Sequence, residues 1–179
     1  MIDRQQLIAL LRDSAASFVD SFRATSPEQF HYKPAADKWS IAETAEHVVV
    51  AETGSGRLIR GKLTREPASA EALAATQGAE ARIDSRLQKR DRAFPAPEFV
   101  LPTGRWQTAR EMVAIFEESR TATIDFLLAT ELDLAGYAAP HPALGPLNGY
   151  QWAYFLVRHS ERHVEQIEEI KRAAGYPND

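Results

Sequence analysis

Four segments of this sequence repeat apolar residues at steps of three and four, which is the spacing of one face of an α-helix. The first segment should end near Thr25, because a Ser-Pro pair and an irregular aromatic stretch follow it. The second begins at a capping box formed by Ser40 and Glu43 and continues to about Gly61. A helix with one apolar face must bury that face, and the other helices are the partners that this chain offers.

Two more helices follow in the second half of the chain. The third begins at another capping box at Thr108 and closes before Gly136, and the fourth runs from Asn148 to a glycine stop at Gly175. No segment reads convincingly as a strand. We therefore predict an all-α four-helix bundle, and 179 residues suit a single domain covering residues 1–179.

A long irregular connection separates the second helix from the third. Short helices are predicted near residues 70–76 and 83–90, and the proline-rich segment FPAPEFVLPTG after them must be extended or turning. A connection of this length allows the third helix to cross over and run parallel to the second, where a short loop would force the two to be antiparallel.

Charge and composition exclude several classes of function. The formal charge is −4 and no stretch concentrates Lys or Arg, so we expect no nucleic-acid partner. The apolar runs are far shorter than the roughly 20 residues that span a bilayer. The first residues are amphipathic, unlike the continuous apolar stretch of a signal peptide, and we expect a cytoplasmic protein. The chain has no cysteine, so a metal site must use His, Asp or Glu.

Three histidines lie where a helical bundle should have its core. His159 and His163 fall in the middle of the apolar face of the fourth helix, and His47 borders the apolar stripe of the second. Two imidazoles four residues apart on a helix can bind one ion. Each unsatisfied buried polar group costs about 1–3 kcal/mol, a cost that a shared divalent cation would remove. The alternative is that each ring bonds separately to a carbonyl or carboxylate.

Three histidine ligands leave coordination positions open, as reactive metal sites do. Imidazole ligands suit Zn, Ni, Fe, Co or Mn, and the sequence does not select among them. The other two histidines, His31 and His141, each lie next to a proline-containing turn, and we assign both to the surface.

Three motifs together resemble the DinB-like superfamily. They are W-S-x-x-E-x-x-x-H at residues 39–47, H-P-x-x-G-x-L at residues 141–147, and H-S-E-R-H-V-E-Q-I at residues 159–167. The resemblance runs from about residue 26 to the C-terminus. It implies a four-helix bundle with up-down-down-up connectivity, a metal held by His47, His159 and His163, and in many members a homodimer.

The resemblance also implies candidate activities, because characterised relatives include thiol S-transferases that use bacillithiol and isomerases that use mycothiol or glutathione. Our leading hypothesis is transfer of a low-molecular-weight thiol onto an electrophile, with the metal lowering the pKa of the thiol. A metal-dependent hydrolase that activates water would have the same sequence features. A bundle with a non-catalytic metal is the third alternative.

Four further side chains are candidates to support the metal ligands or to contact a substrate: Gln166, Glu43, Arg120 and Trp152. Gln166 lies one turn beyond His163 and could orient a ligand. Glu43 is already explained by its capping box, and Arg120 fits an ion pair with a glutamate as well as it fits a substrate carboxylate. Trp152 is primarily a core residue that could also line the space above the metal.

Overall fold

The computed structural model describes residues 3–88 and 96–178. In chain order its helices are α1 (Arg4–Phe22), α2 (Pro27–His31), α3 (Ile41–Arg60), α4 (Ala70–Ala74), α5 (Ala79–Gln88), α6 (Ala109–Ala129) and α7 (Gly149–Lys171), and its strands are β1 (Ala138–His141) and β2 (Gly145–Asn148). The four long helices, α1, α3, α6 and α7, are the four that the apolar periodicity predicts.

The directions of the long helices follow from two apolar clusters. One cluster joins the start of α1, the ends of α3 and α6, and the start of α7: Leu7, Ile59, Leu127 and Phe155. The other joins the end of α1, the starts of α3 and α6, and the end of α7: Phe18, Ile41, Met112 and Ile170. The first and last helices therefore run one way and the middle two run the other way. This up-down-down-up bundle confirms the predicted fold.

Capping boxes begin the last three long helices at the predicted positions. Ser40, Thr108 and Asn148 each accept from a backbone N–H three residues on, and that third residue bonds back to the cap's own N–H. These exchanges satisfy N–H groups that a helix start otherwise leaves without a partner. A fourth box at Ser26 begins the short α2, which includes the first two residues of the aromatic stretch that we predicted to be irregular. The prediction was wrong there because the preceding Ser-Pro pair, taken as a breaker, forms a cap and a first helical residue.

Two helix ends and one hairpin differ from the predictions. Helix α1 ends at Phe22, before Thr25, and α7 ends at Lys171, four residues before Gly175. Gly175 has a φ of +84° in a turn beyond the helix. The antiparallel hairpin of β1 and β2 was not predicted, because its strands have four residues each and contain prolines. Neither strand alternates apolar and polar residues, which is the pattern that indicates a half-buried strand.

The connection between α3 and α6 contains the predicted short helices, now α4 and α5. Residues 89 and 90 of the second prediction, and the first two residues of the proline-rich segment, lie outside the described residues. A 3-10 turn at Glu98–Val100 follows, and the chain then lies along α3 before α6 begins. In the described residues, no helix combines the length and the apolar character needed to cross a membrane.

Candidate metal centre

Three buried histidines meet between α3 and α7. Each offers one ring nitrogen, and these nitrogens all lie within 4.8 Å of one another. The Nε2 atoms of His47 and His159 are 3.1 Å apart. His159 and His163 come from successive turns of α7, and their ring centroids are 4.6 Å apart. The two helices thus bring the three predicted side chains together in a spacing that one metal ion can bridge.

Hydrogen bonds on the far side of two rings define which nitrogen faces the centre. Nδ1 of His47 lies 2.9 Å from the carbonyl oxygen of Val100, and Nδ1 of His163 lies 2.9 Å from Oε1 of Gln166. Both partners are acceptors, so each Nδ1 carries the proton and donates it. The lone pair of each ring is then on Nε2. This is the usual arrangement of metal-binding histidines, whose second nitrogen bonds to a protein acceptor.

The environment favours the neutral form of two of the rings, His47 and His159. Burial lowers the pKa of His47, and its hydrogen bond to the Val100 carbonyl offsets part of that effect. Burial also holds the pKa of His159 well below its usual value, and the neighbouring His163 and His47 lower it further. Neutral imidazole is the form that binds metals. Without a cation, the close pair of Nε2 atoms is satisfied only if His159 donates its own Nε2–H to His47, and a metal ion would take the place of that proton.

A buried carboxylate holds the loop that positions His47. Glu46, next to it in α3, accepts hydrogen bonds from the backbone N–H groups of residues 103–105 and from the hydroxyl of Thr103. These bonds fix the chain on α3 three residues after Val100, whose carbonyl accepts from His47. The role of Glu46 is not visible in the sequence, because its partners lie more than 50 residues away and no motif connects them.

The histidines form part of the wall of a cavity of about 950 Å³. Most of the remaining wall is apolar or aromatic: Trp39, Val50, Leu58, Phe99, Val100, Leu144, Trp152 and Phe155. Cavities of this size and character are typical of small-molecule sites. The metal-binding nitrogens would therefore face a space that a substrate can enter.

The other candidate residues are divided between the cavity and the rest of the bundle. Gln166 and Trp152 line the cavity. Glu43 caps α3 and bonds to Lys33. Arg120, only 2% exposed, forms an ion pair with Glu52 inside the bundle and does not line the cavity. The structure thus favours the ion pair over the substrate contact for Arg120.

The two remaining histidines lie in different surroundings. His31 is exposed, as predicted, and its Nε2 lies near the carbonyl of Gln107. His141 is half-buried in the cavity wall, and its ring contacts Trp152 and Phe155. Its assignment to the surface was wrong, because the hairpin that turns it inward was not predicted.

An up-down-down-up bundle with three buried histidines beside a cavity defines a class of helical proteins with a candidate metal centre. Residues 10–167 match the family model of the DinB superfamily, and the chain belongs to that superfamily. This confirms the resemblance that the three motifs indicated.

Two similar proteins come from Bacillus subtilis. The chain is 26% identical over 152 residues to the uncharacterized protein YuaE of strain 168, covering 85% of this chain and 89% of the relative. The solved structure of YfiT, described as a probable metal-dependent hydrolase with an unusual four-helix bundle topology, matches with a TM-score of 0.62 at 13% identity. That match covers 99% of this chain and 92% of YfiT. At this identity the likeness to YfiT concerns the fold.

Proposed function

We propose that this protein binds one divalent metal ion through His47, His159 and His163 and hydrolyses a small-molecule substrate in the adjoining cavity. The observation that carries the proposal is the convergence of three buried imidazoles on one point of the cavity wall. The description of YfiT as a probable metal-dependent hydrolase supports this choice of reaction.

The chemistry divides between the ion and the chain. A divalent ion in such a site acts as a Lewis acid that polarises a carbonyl and lowers the pKa of a water or thiol beside it. The three imidazoles are neutral ligands and leave the charge of the ion undiminished. The Val100 carbonyl and Gln166 hold two of the rings in orientation. The largely apolar wall lowers the local dielectric constant, which strengthens electrostatic effects at the centre.

Thiol transfer is the second candidate. The cavity, at about 950 Å³, is large enough to hold a low-molecular-weight thiol together with an electrophile. The chain has no cysteine, so the sulfur would come from the cosubstrate. The ion could be Zn, Ni, Fe, Co or Mn, all of which accept imidazole ligands.

Metal content tests the site itself. Protein purified without a His tag should contain about one equivalent of metal per chain, and the His163→Ala variant should contain almost none. His31→Ala, which changes an exposed histidine on α2, is the matched control and should keep the metal. Equal metal content in wild type and His163→Ala would refute the centre.

Turnover by the metal-loaded protein separates the candidate reactions. We expect hydrolysis of an aryl ester such as 4-nitrophenyl acetate in water alone, and loss of that activity in His163→Ala. Consumption of monochlorobimane that depends on added thiol, without ester hydrolysis, would replace the hydrolase by the transferase. A metal-loaded protein that turns over neither probe would support the third alternative, a bundle whose metal is not catalytic.

A further inference from the structure

The hairpin before α7 fixes the proton of His141 on one nitrogen. Nδ1 of this ring accepts hydrogen bonds from the backbone N–H groups of Ala143 and Leu144, each 3.2 Å away. A nitrogen that accepts two N–H donors carries no hydrogen of its own, so the neutral ring carries its proton on Nε2. Burial lowers the pKa of His141 to about 4, and the ring is therefore neutral at pH 7. The turn thus makes His141 an N–H donor that cannot serve as a metal ligand through Nε2.

That donor faces away from the turn and towards the cavity. Nε2 lies across the ring from the nitrogen held by the turn, and the ring lines the cavity between Trp152 and Phe155, with centroid distances of 4.9 and 4.5 Å. Within residues 3–88 and 96–178, Nε2 has no hydrogen-bond partner, because both hydrogen bonds of the ring are made by Nδ1. Nε2 is not buried, because it is absent from the buried polar atoms that lack a partner, so an acceptor on a ligand in the cavity can reach it.

We propose that His141 is a substrate-binding residue whose Nε2–H donates a hydrogen bond to the carbonyl oxygen of an uncharged, largely apolar ester or amide. The proposal rests on the proposed function for the presence of a substrate beside the three histidines. One aromatic ring, Phe155, separates His141 from His159, with centroid distances of 4.5 and 5.0 Å. Because only this ring lies between them, a substrate as wide as one aromatic ring can contact both His141 and the metal centre.

The charges in the cavity wall favour an uncharged substrate. Its buried side chains are apolar or imidazole. Apart from Arg162, the charged residues of the lining are exposed at its edge: Asp37, Lys38, Arg86 and Glu169. The half-buried Arg162 donates to the carbonyl of Leu87. Away from the metal ion, which binds neutral carbonyl oxygens as well as anions, a charged group brought into the interior of the cavity would lose its hydration without meeting an opposite charge.

One substitution keeps the role of Nδ1 of His141 in the turn and removes the donor on Nε2. In His141→Asn, the side-chain oxygen can accept from N–H groups two and three residues on, which keeps the turn closed. The shorter side chain cannot carry a donor to the position of Nε2. His31→Asn is the matched control, because His31 is exposed and does not line the cavity.

Two probes of the same shape test the hydrogen bond. Acetophenone has a carbonyl oxygen, and 2-phenylpropene has a CH₂ group in its place. Both are titrated by NMR into zinc-loaded and metal-free protein. We expect His141→Asn to bind acetophenone about three- to tenfold more weakly than wild type. Binding of 2-phenylpropene should be unchanged, and His31→Asn should bind both probes as wild type does.

Three outcomes would overturn the proposal. They are equal weakening of both probes, unchanged binding of acetophenone, and failure of wild type to bind either probe. If His141→Asn does not fold, ¹⁵N NMR of the wild-type ring decides: the proton must be on Nε2 and its resonance must shift with acetophenone. A proton on Nδ1, or no shift, contradicts the proposal. The metal-free arm keeps this result separate from the metal centre, which the metal analysis tests.

Discussion

At the scale of single residues, each histidine ring acquires its role from the bond that its other nitrogen makes. Nδ1 of His163 donates to Gln166, which leaves the Nε2 lone pair for an ion. Nδ1 of His141 accepts from the hairpin turn, which leaves an N–H on Nε2. The same side chain is thus prepared as a ligand in one place and as a hydrogen-bond donor in the other.

Replacing Gln166, which accepts the hydrogen bond of His163, should weaken metal binding without unfolding the protein. In Gln166→Met a side chain of similar size cannot accept the proton of Nδ1, so the ring loses its orientation. We expect metal affinity to fall about 10- to 100-fold, measured by competition with a chromophoric chelator. Gln5→Met, which changes an exposed glutamine of α1, is the control and should bind as wild type does. An affinity unchanged in Gln166→Met would show that this hydrogen bond does not support the centre.

The low pKa of His141 should make stability depend on pH. Burial lowers the pKa from 6.5 to about 4, so between these values the unfolded chain binds a proton that the folded chain does not. The buried, neutral ring of His141 therefore contributes fully to the stability of the fold above pH 6.5, and this contribution is lost as the pH falls towards 4. The full difference corresponds to about 3 kcal/mol, and partial exposure of the ring reduces the expected change to about 1–2 kcal/mol.

Urea denaturation of wild type and His141→Asn at a series of pH values measures this effect. The difference in free energy of unfolding between the two proteins should change by about 1–2 kcal/mol between pH 7 and pH 4.5. The change should favour the variant at low pH. Parallel curves would mean that the ring of His141 titrates normally in the folded protein.

At the scale of elements, the sequence predicted what lies within one helix and missed what joins distant segments. The pairing of His159 with His163 and the capping box of Ser40 depend on residues three or four apart, and helical geometry alone places them. The bond from Glu46 to residues 103–105 and the inward turn of His141 depend on tertiary contacts. No local pattern encodes such contacts, so these parts of the site required the structure.

One buried ion pair connects all four long helices. Arg120 of α6 bonds to both carboxylate oxygens of Glu52 in α3, at 2.8 and 2.9 Å. It also donates to the Leu11 carbonyl and the Ser14 hydroxyl of α1 and to the hydroxyl of Ser160 in α7. Every donor direction of the guanidinium is thus used within the bundle, as a buried charge requires.

Removing one partner of this pair should destabilise the bundle strongly. Arg120→Met leaves the Glu52 carboxylate buried without its counter-charge, and we expect a loss of about 3–5 kcal/mol in the free energy of unfolding, measured in urea. The double variant Arg120→Met, Glu52→Leu should recover much of that loss, because no isolated charge remains. Arg23→Met, which breaks an exposed pair with Asp20, should cost less than about 1 kcal/mol. A small effect of Arg120→Met alone would contradict this account.

At the scale of the whole molecule, the topology and the site depend on the same segment. Parallel α3 and α6 require a long connection, and the end of that connection supplies Phe99 and Val100 to the cavity wall and the Val100 carbonyl to His47. The crossover therefore builds part of the centre as well as joining the helices. The homodimer, the cytoplasmic location and the single-domain organisation stay predictions from the sequence.

Metal binding should stabilise the whole fold, because the ligands come from two helices that the unfolded chain does not hold together. A metal at about 1,000 times its Kd adds about 4 kcal/mol to the folded state. For a chain of this size that corresponds to a rise in Tm of about 8–16 °C. We expect calorimetry of chelator-treated protein to show this rise on addition of Zn²⁺ and a much smaller one in His163→Ala. A Tm in wild type that does not respond to Zn²⁺, Ni²⁺, Co²⁺, Mn²⁺ or Fe²⁺ would mean that the three rings satisfy one another without an ion.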